Sequence, residues 1–193
     1  DNTRIPVSAR SAATGESIIA TVDDATSVYW NPAGLTAVRK NEMSSMWADL
    51  HGLQGLDNAY LAYAKPLSSK LGIGVDWMHM GFSDSEFFYH QNRYAVALGY
   101  RLHSRLALGA TAKMISLDAG LQDIANPQDF SSSGSALGYD FGVVISPYNS
   151  LTLGIVAQDI GGTDLEYGNG IKRPFFRSDL RFGAAWTAIP RLS

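Results

Sequence analysis

The chain has 193 residues, a net charge of −3 and only 17% charged residues. That length suits one compact domain or one barrel, and the low charge supplies little water-facing surface, since soluble domains carry about 25% charged residues. There is no basic cluster to bind nucleic acid, and the absence of cysteine excludes disulfides, thiol catalysis and Cys-ligated zinc.

Residues 1–42 precede the first regular β pattern and are rich in small residues. The chain starts without a charged and apolar leader, so we expect any export signal to have been removed already. No apolar run is long enough for a transmembrane helix, which leaves membrane β-strands as the way to cross a bilayer. We expect residues 1–42 to pack inside the structure that follows.

The stretch DDATSVYWNPAGL predicts a short helix and its end. Asp23 or Asp24 is expected to N-cap a helix through ATSVYW by accepting backbone N–H groups of its first turn. Asn31 and Pro32 should stop that helix, because the residue before a proline is pushed out of helical geometry. Gly34 then allows a tight turn.

From residue 43 onward, large apolar residues alternate with small or polar residues at period two, which predicts β-strands. The eight predicted strands begin near residues 43, 58, 71, 94, 106, 137, 151 and 180. In RYAVALGYRL one face carries Tyr, Val and Leu, and the other carries Ala, Gly and Arg. A face of small residues and isolated charges suits a crowded interior, whereas the large apolar face suits lipid. The pattern favours an all-β, transmembrane, antiparallel up-and-down barrel; a soluble all-β domain is the alternative.

The connections between these strands alternate in length. The short ones are 66–70, 101–105 and 146–150, and the long ones are 81–92, 118–135 and 161–178. Bacterial outer-membrane barrels have short periplasmic turns and long outer loops. The N-terminus is therefore predicted to be periplasmic.

Each short turn leads into a similar motif: KLGIGV, RLALGA or SLTLGI. The fourth turn leads into RLS, so we expect a ninth strand to begin at Leu192. This favours a chain that holds the first part of a longer barrel. A closed eight-stranded barrel is the alternative, since eight is the smallest common size.

The segment GESIIATVDDATSVYWNPAGL resembles the N-terminal hatch of FadL-like outer-membrane barrels, and more closely that of the PorV/PorQ-type family. The resemblance implies a hatch at 1–42 inside the strands of 43–193, which would be part of a barrel of about 14 strands. The hatch motif then comprises Asp23, Asp24, Asn31, Pro32, Ala33 and Gly34. By the same resemblance Asn31, Pro32 and Ala33 brace the hatch against the wall. The alternative is a helix stop and turn that serve folding alone.

Five ionisable residues fall on the small-residue face: Asp76, Arg101, Lys113, Asp140 and Arg181. Charges facing lipid at mid-depth cost about 2–4 kcal/mol for Arg or Lys, so these residues are expected in the lumen. Lys113 and Asp140, on neighbouring strands, should pair. The set is either a network between wall and plug or a polar path for a substrate.

Two predicted outer loops carry adjacent aromatic residues: Phe87, Phe88, Tyr89, Phe175 and Phe176. They are candidate contacts for lipopolysaccharide, for a ligand at the barrel mouth or for a partner protein. The alternative is that the loops collapse onto their own barrel.

The four histidines lack metal-ligand spacing, and no catalytic signature is present, so the sequence predicts no metal, no cofactor and no enzyme. The favoured function is FadL-like passage of hydrophobic or small molecules across a bacterial outer membrane. The partners would be outer-membrane lipid, lipopolysaccharide and a hydrophobic ligand. The alternative is a PorV-like accessory barrel that binds a larger secretion or surface complex.

Overall fold

A computed structural model of the chain describes residues 6–49, 55–84, 87–121, 130–167 and 172–187, with backbone alone for 49, 130–132, 163–167 and 172–176. Its helical elements are α1 (Ala9–Ala13), α2 (Ser27–Trp30) and the 3₁₀ helix η1 (Pro32–Ala37). Its strands are β1 (Glu42–Asp49), β2 (Leu56–Pro66), β3 (Leu71–Ser83), β4 (Phe87–His103), β5 (Leu106–Leu121), β6 (Phe130–Tyr148), β7 (Leu151–Gln158), β8 (Thr163–Tyr167), β9 (Lys172–Phe176) and β10 (Asp179–Trp186). Within the described residues, no helix has the length and apolar character needed to cross a bilayer.

Eight strands form one antiparallel up-and-down path in the order β1-β2-β3-β4-β5-β6-β7-β10. This confirms the predicted fold class and strand number. Over the ranges that the structure describes, β1 pairs only with β2, and β10 pairs only with β7. The sheet is therefore open there and does not close as an eight-stranded barrel. The predicted ninth strand at Leu192 lies outside the described residues.

The two faces of the sheet differ as the alternation predicts. On β4, Val96 and Leu98 are about half exposed (52% and 49%), whereas Ala95 and Ala97 are buried (4% and 1%). The same contrast holds on β10, where Phe182 is 67% exposed. The large apolar side chains therefore form the outward face, and the small ones form the inward face.

The outward apolar face has a sharp upper boundary. Tyr94 pairs with Trp77 on one side and with Met114 on the other, and beyond these three the outward residues of β3 to β5 are polar or small except for Phe88. The next outward pair is His79 with Asn92. On β4 the apolar row from Leu102 to Tyr94 covers about 27 Å along the strand, or about 20 Å of height after the usual tilt, which is close to the apolar band of a membrane barrel.

Two predicted long loops are in large part strand, which corrects the sequence analysis. β3 continues to Ser83 and β4 begins at Phe87, so most of 81–92 is sheet; likewise β5 and β6 take up much of 118–135. Apart from Phe88, the outward residues there are polar or small, so the apolar alternation ends although the hydrogen-bond ladder continues. The predicted long loop 161–178 also contains the short hairpin β8–β9, which pairs with β6.

The main core lies on the inward face, between the sheet and the N-terminal segment, here defined as residues 6–41. Trp30 and Leu35 of the segment and Tyr60 of β2 are each 1% exposed. They pack in one cluster with Val7, Ile18, Val22, Val28, Val38, Ala62, Ala64, Met78, Ala95 and Ala97. The segment is therefore packed against the wall over most of its length.

If the outward face contacts lipid, the cost of a charge there should depend on depth. We expect Leu98→Arg, at mid-band, to lower the free energy of unfolding in lipid vesicles by about 2–4 kcal/mol, because it places a guanidinium in hydrocarbon. The matched control is Leu102→Arg, near the strand end, where the expected cost is about 0–1 kcal/mol. Denaturant titration followed by tryptophan fluorescence measures both; equal costs would contradict a lipid-facing band.

Candidate functional site

The inward face carries a row of glycines where the N-terminal segment sits. Gly72, Gly99, Gly109 and Gly142 pair side by side across β3 to β6. One inward row nearer the short turns, the row continues as the pair Gly154 and Gly183 on β7 and β10. We call these six residues the glycine belt. Gly109 and Gly154 end two of the L-x-apolar-G motifs that follow short turns, and Gly72 lies inside the third, whereas Gly99 and Gly142 lie on strands that lead into short turns. The repeat in the sequence therefore marks only part of the belt.

The glycine belt lets the backbone of the segment approach the sheet directly. A methyl group at Gly109 would overlap the backbone of Pro32 and Ala33, and one at Gly72 would overlap the Leu35 carbonyl. At Gly99 an added Cβ would lie 2.7 Å from the Pro32 carbonyl oxygen. Real Cβ atoms do not approach that closely, so any side chain here would displace η1.

Asn31 joins the segment to the wall from a fully buried position. Its Oδ1 accepts the Ala33 N–H at 3.1 Å and so caps η1. Its Nδ2 donates to the Ile19 carbonyl at 2.9 Å and to the Val143 carbonyl of β6 at 3.3 Å. Asn31 is extended and α2 ends at Trp30, as predicted for the residue before Pro32.

Three wall side chains donate to backbone carbonyls of the segment. Gln158 Nε2 donates to the Tyr29 carbonyl at 3.1 Å. The Thr111 hydroxyl lies 3.5 Å from the Val28 carbonyl, and Arg101 Nη2 donates to the Thr36 carbonyl at 2.5 Å. The carbonyls at the end of a one-turn helix have no helical partner, so these donors satisfy groups that would otherwise be buried unpaired.

A buried charge layer lies beside the belt, toward the long-loop side. Arg93 Nη1 contacts the Asp76 carboxylate at 2.5 Å, and the Tyr60 hydroxyl lies 3.4 Å from Asp76. The Arg93 guanidinium also lies over the Tyr29 ring of the segment, 5.2 Å from its centroid. Arg93 was missed at the sequence level because it lies in the predicted loop-to-strand boundary, yet its inward position follows from the period of two.

The second half of the layer joins β5 and β6. Lys113 Nζ lies 2.7 Å from Asp140 Oδ1 and 3.0 Å from Asp159 Oδ1. The pair of Lys113 and Asp140 that the sequence analysis expected is thus present, with Asp159 as an additional partner. One oxygen of Asp140, Oδ2, is buried without a hydrogen-bond partner.

The other predicted lumen residues lie elsewhere. Arg101 lies at the short-turn end, on the Thr36 carbonyl. Arg181 Nε pairs with Asp179 of its own strand at 2.8 Å. The structure therefore brings together Asp76, Lys113 and Asp140 in one layer and places the two arginines outside it.

The aspartates of the hatch motif do not cap α2, which corrects the prediction. The N-cap is Thr26, and the Asp24 carboxylate instead accepts the Thr26 N–H at 2.8 Å, one residue before the helix. Asp23 pairs with Arg10 of α1, and this hydrogen bond raises the pKa of the Arg10 guanidinium above its ordinary value. Because the pair is exposed, it adds little stability.

Gly34 also has a different role from the predicted one. It lies inside η1 rather than at a turn that needs a left-handed conformation. An added Cβ would overlap the Val22 carbonyl and lie 2.8 Å from Ser27 Oγ. Gly34 is therefore required for space within the segment.

The aromatic residues at 87–89 lie on a strand, not on a loop. Tyr89 packs against Leu117 and Ala136 on the inward face, and its hydroxyl donates to Gln91 Oε1 at 2.8 Å. The Phe88 ring lies 6.0 Å from that of His90 on the outward face, while Phe87 faces inward beside Phe82, with ring centroids 6.1 Å apart. The side chains of Phe175 and Phe176 lie outside the described residues.

The described part of the chain contains no group of three His, Asp or Glu side chains that is arranged to hold a metal ion. The geometry instead provides a closely seated segment, donors to its carbonyls and a buried charge layer beside it. This arrangement can hold a segment in place or release it.

Two solved structures resemble this chain, and the first of them supports the fold. A crystal structure of a Pseudomonas aeruginosa FadL homologue matches with a TM-score of 0.51 and 12% identity, over 74% of this chain and 48% of that one. A TodX deltaS2S3 mutant, described as a monoaromatic hydrocarbon channel, matches with a TM-score of 0.49 and 13% identity, over 84% and 62% of the two chains. The chain thus spans about half to three fifths of the length of these structures. No family model and no curated protein matches.

The glycine belt can be tested by adding one methyl group. We expect Gly109→Ala to lower the free energy of unfolding by about 1–3 kcal/mol, because its Cβ overlaps the backbone of η1. It should also speed tryptic cleavage at the exposed Arg10. The control is Ala110→Val, which adds two methyl groups on the outward face of the same strand. Equal effects from both variants would contradict the close contact between the glycine belt and the backbone of η1.

The charge layer can be tested by breaking one of its ion pairs. Arg93→Met should destabilise the protein by about 3–5 kcal/mol, because it leaves the Asp76 carboxylate buried without its cation. Adding Asp76→Leu should recover most of this loss, since both charges are then gone. Equilibrium unfolding in detergent measures both variants, and no recovery in the double variant would argue against direct pairing.

Proposed function

We propose that the protein is a FadL-like outer-membrane barrel that passes hydrophobic or small molecules, and that its N-terminal segment is the plug that controls passage. The observation that carries the proposal is that the N-terminal segment lies on the inward face, in backbone contact with the glycine belt. The outward apolar band supports a membrane location. The likeness to a FadL homologue supports the same architecture.

The contacts that hold the segment suit a movable element. Asn31, Gln158, Thr111 and Arg101 each make hydrogen bonds between segment and wall, and each such bond contributes about 0.5–1.5 kcal/mol net. Breaking two or three of these hydrogen bonds costs about 1–4 kcal/mol, so a partial displacement that leaves Trp30 and Leu35 in the core is thermally accessible as a minor state. Displacement would open the short-turn end of the inward face.

We infer the orientation from the loop lengths. In the proposed arrangement the short turns and the N-terminal segment face the periplasm, and the long strands β4, β5 and β6 extend beyond the outer leaflet. A hydrophobic molecule would enter from that side and meet the charge layer before the plug. Asn31, Pro32 and Ala33 would then be the residues that brace the plug.

The accessory role is not proposed. Tyr89 packs onto its own sheet, and Phe87 lies beside Phe82 although it is 36% exposed, so these two candidate partner contacts have neighbours within the chain. The side chains at 175 and 176 lie outside the described residues and give no support either way.

A reversible disulfide between plug and wall tests the proposal. A Cβ at Gly74 would lie 2.5 Å from Val28 Cγ2, one bond from Val28 Cβ, so cysteines at both positions would have Cβ atoms within about 4 Å, as a disulfide requires. The chain has no cysteine of its own, so no other thiol competes. We expect liposomes that contain the Val28→Cys/Gly74→Cys variant to take up a hydrophobic dye when the disulfide is reduced. When it is oxidised, we expect the uptake to fall by about 80%.

The two single-cysteine variants are the controls, and neither should respond to oxidation. Equal uptake by the oxidised and reduced double variant would refute the plug as the controlling element. No uptake by the wild-type protein above empty vesicles, with a range of hydrophobic dyes, would refute transport itself.

A further inference from the structure

A cavity of about 210 Å³ lies at the short-turn end, between the N-terminal segment and the ends of β4 to β7. Residues 20–23, 33, 34, 36 and 37 of the segment form part of one side, and residues 101 and 103–107 form part of the other. At about 30 Å³ per water molecule, the volume holds roughly seven waters, or one small anion with part of its hydration shell.

The charges that line this cavity are mainly positive. Three basic side chains, Arg101, His103 and Arg105, line it, against one acid, Asp23. The Asp23 carboxylate is already paired with Arg10 outside the lining. The cavity therefore has two permanent positive charges that no lining carboxylate neutralises.

The guanidinium groups have donors to spare. Arg101 uses Nη2 for the Thr36 carbonyl, and its Nε is buried without a partner. Arg105 uses Nη1 for the Pro147 carbonyl at 3.0 Å. Since a guanidinium has five N–H donors, each arginine keeps several for a ligand.

Hydroxyl groups complete the lining. Ser146 Oγ and Thr152 Oγ1 lie 3.2 Å apart on β6 and β7, and Ser104 lies on the turn between the two arginines. Hydroxyls donate to oxyanions as readily as they accept from neutral groups. Two arginines beside several hydroxyls form a donor-rich site that suits the tetrahedral oxygens of a phosphate group.

We propose that this cavity is a binding site for a phosphate group. The anion would lie between the β4–β5 turn and the N-terminal segment and would reinforce the hold of Arg101 on the Thr36 carbonyl. The site lies at the surface between wall and segment, and phosphate binding there does not require transport. Failure of one proposal would therefore leave the other unaffected. The same chemistry is available from free phosphate and from the headgroup of a phospholipid at the membrane surface nearby.

Calorimetric titration of the 193-residue chain in non-ionic detergent tests the site. The first probe is inorganic phosphate at pH 7, with sodium chloride at matched ionic strength as the blank. We expect saturable binding of phosphate and none of chloride. Arg105→Gln should weaken phosphate binding about tenfold, as loss of a charge-assisted donor does.

The matched control is Lys70→Gln, which removes one positive charge from the neighbouring short turn without touching the cavity lining. It should change phosphate affinity less than twofold. Equal weakening by both variants would overturn the proposal in favour of general charge attraction. The melting temperatures of both variants in chloride verify that each is folded.

A second titration with dihexanoyl phosphatidic acid, against dihexanoyl phosphatidylcholine, distinguishes the sources. Arg105-dependent binding of phosphatidic acid at least tenfold tighter than inorganic phosphate supports a lipid headgroup, and Arg105-dependent binding of inorganic phosphate alone supports the free anion. Binding of neither probe would overturn the site.

Discussion

The close approach of backbone to backbone at the glycine belt is the constraint on which the rest of the structure depends. With any side chain at Gly72, Gly99 or Gly109, η1 would have to lie farther from the sheet. The hydrogen bonds from Asn31, Thr111 and Gln158 would then be too long, because these short side chains cannot follow the shift. The belt therefore decides where the polar contacts can be, and those contacts fix which way the segment faces.

The charge layer determines where the N-terminal segment lies, and it contributes little to the net free energy of unfolding. Buried ion pairs lose most of their Coulomb energy to desolvation, so Asp76, Arg93, Lys113 and Asp140 cost about as much as they contribute. Their value is geometric: Arg93 can face both Asp76 and the ring of Tyr29 only when the segment is seated. A misplaced segment would leave the guanidinium with one partner fewer.

Much of the fold could be predicted from the sequence because period-two alternation encodes both strand and face. Val96 and Ala95 differ in exposure as that pattern requires. The starts of β4 and β6 could not be predicted, because before Tyr94 and Leu137 the outward residues, apart from Phe88, are polar while hydrogen bonding continues. The pair of Lys113 and Asp140 followed from the register of two adjacent hairpins, whereas the partners of Arg101 and Asp24 depend on where the segment lies. No local pattern determines that position, although two of the repeated glycines after short turns, Gly109 and Gly154, belong to the belt.

The contacts of Asn31 also set an order of assembly. Its wall partner, Val143, lies 112 residues further along the chain, and the donor to Tyr29, Gln158, lies 129 residues further. Contacts of such separation form late, because the intervening chain must first be ordered. The N-terminal segment leaves the ribosome before the strands that it packs against, yet its contact with Val143 needs the six strands up to β6, and its contact with Gln158 needs β7 as well. During that interval its apolar side chains are without their core, and a chaperone or the growing sheet has to shield them.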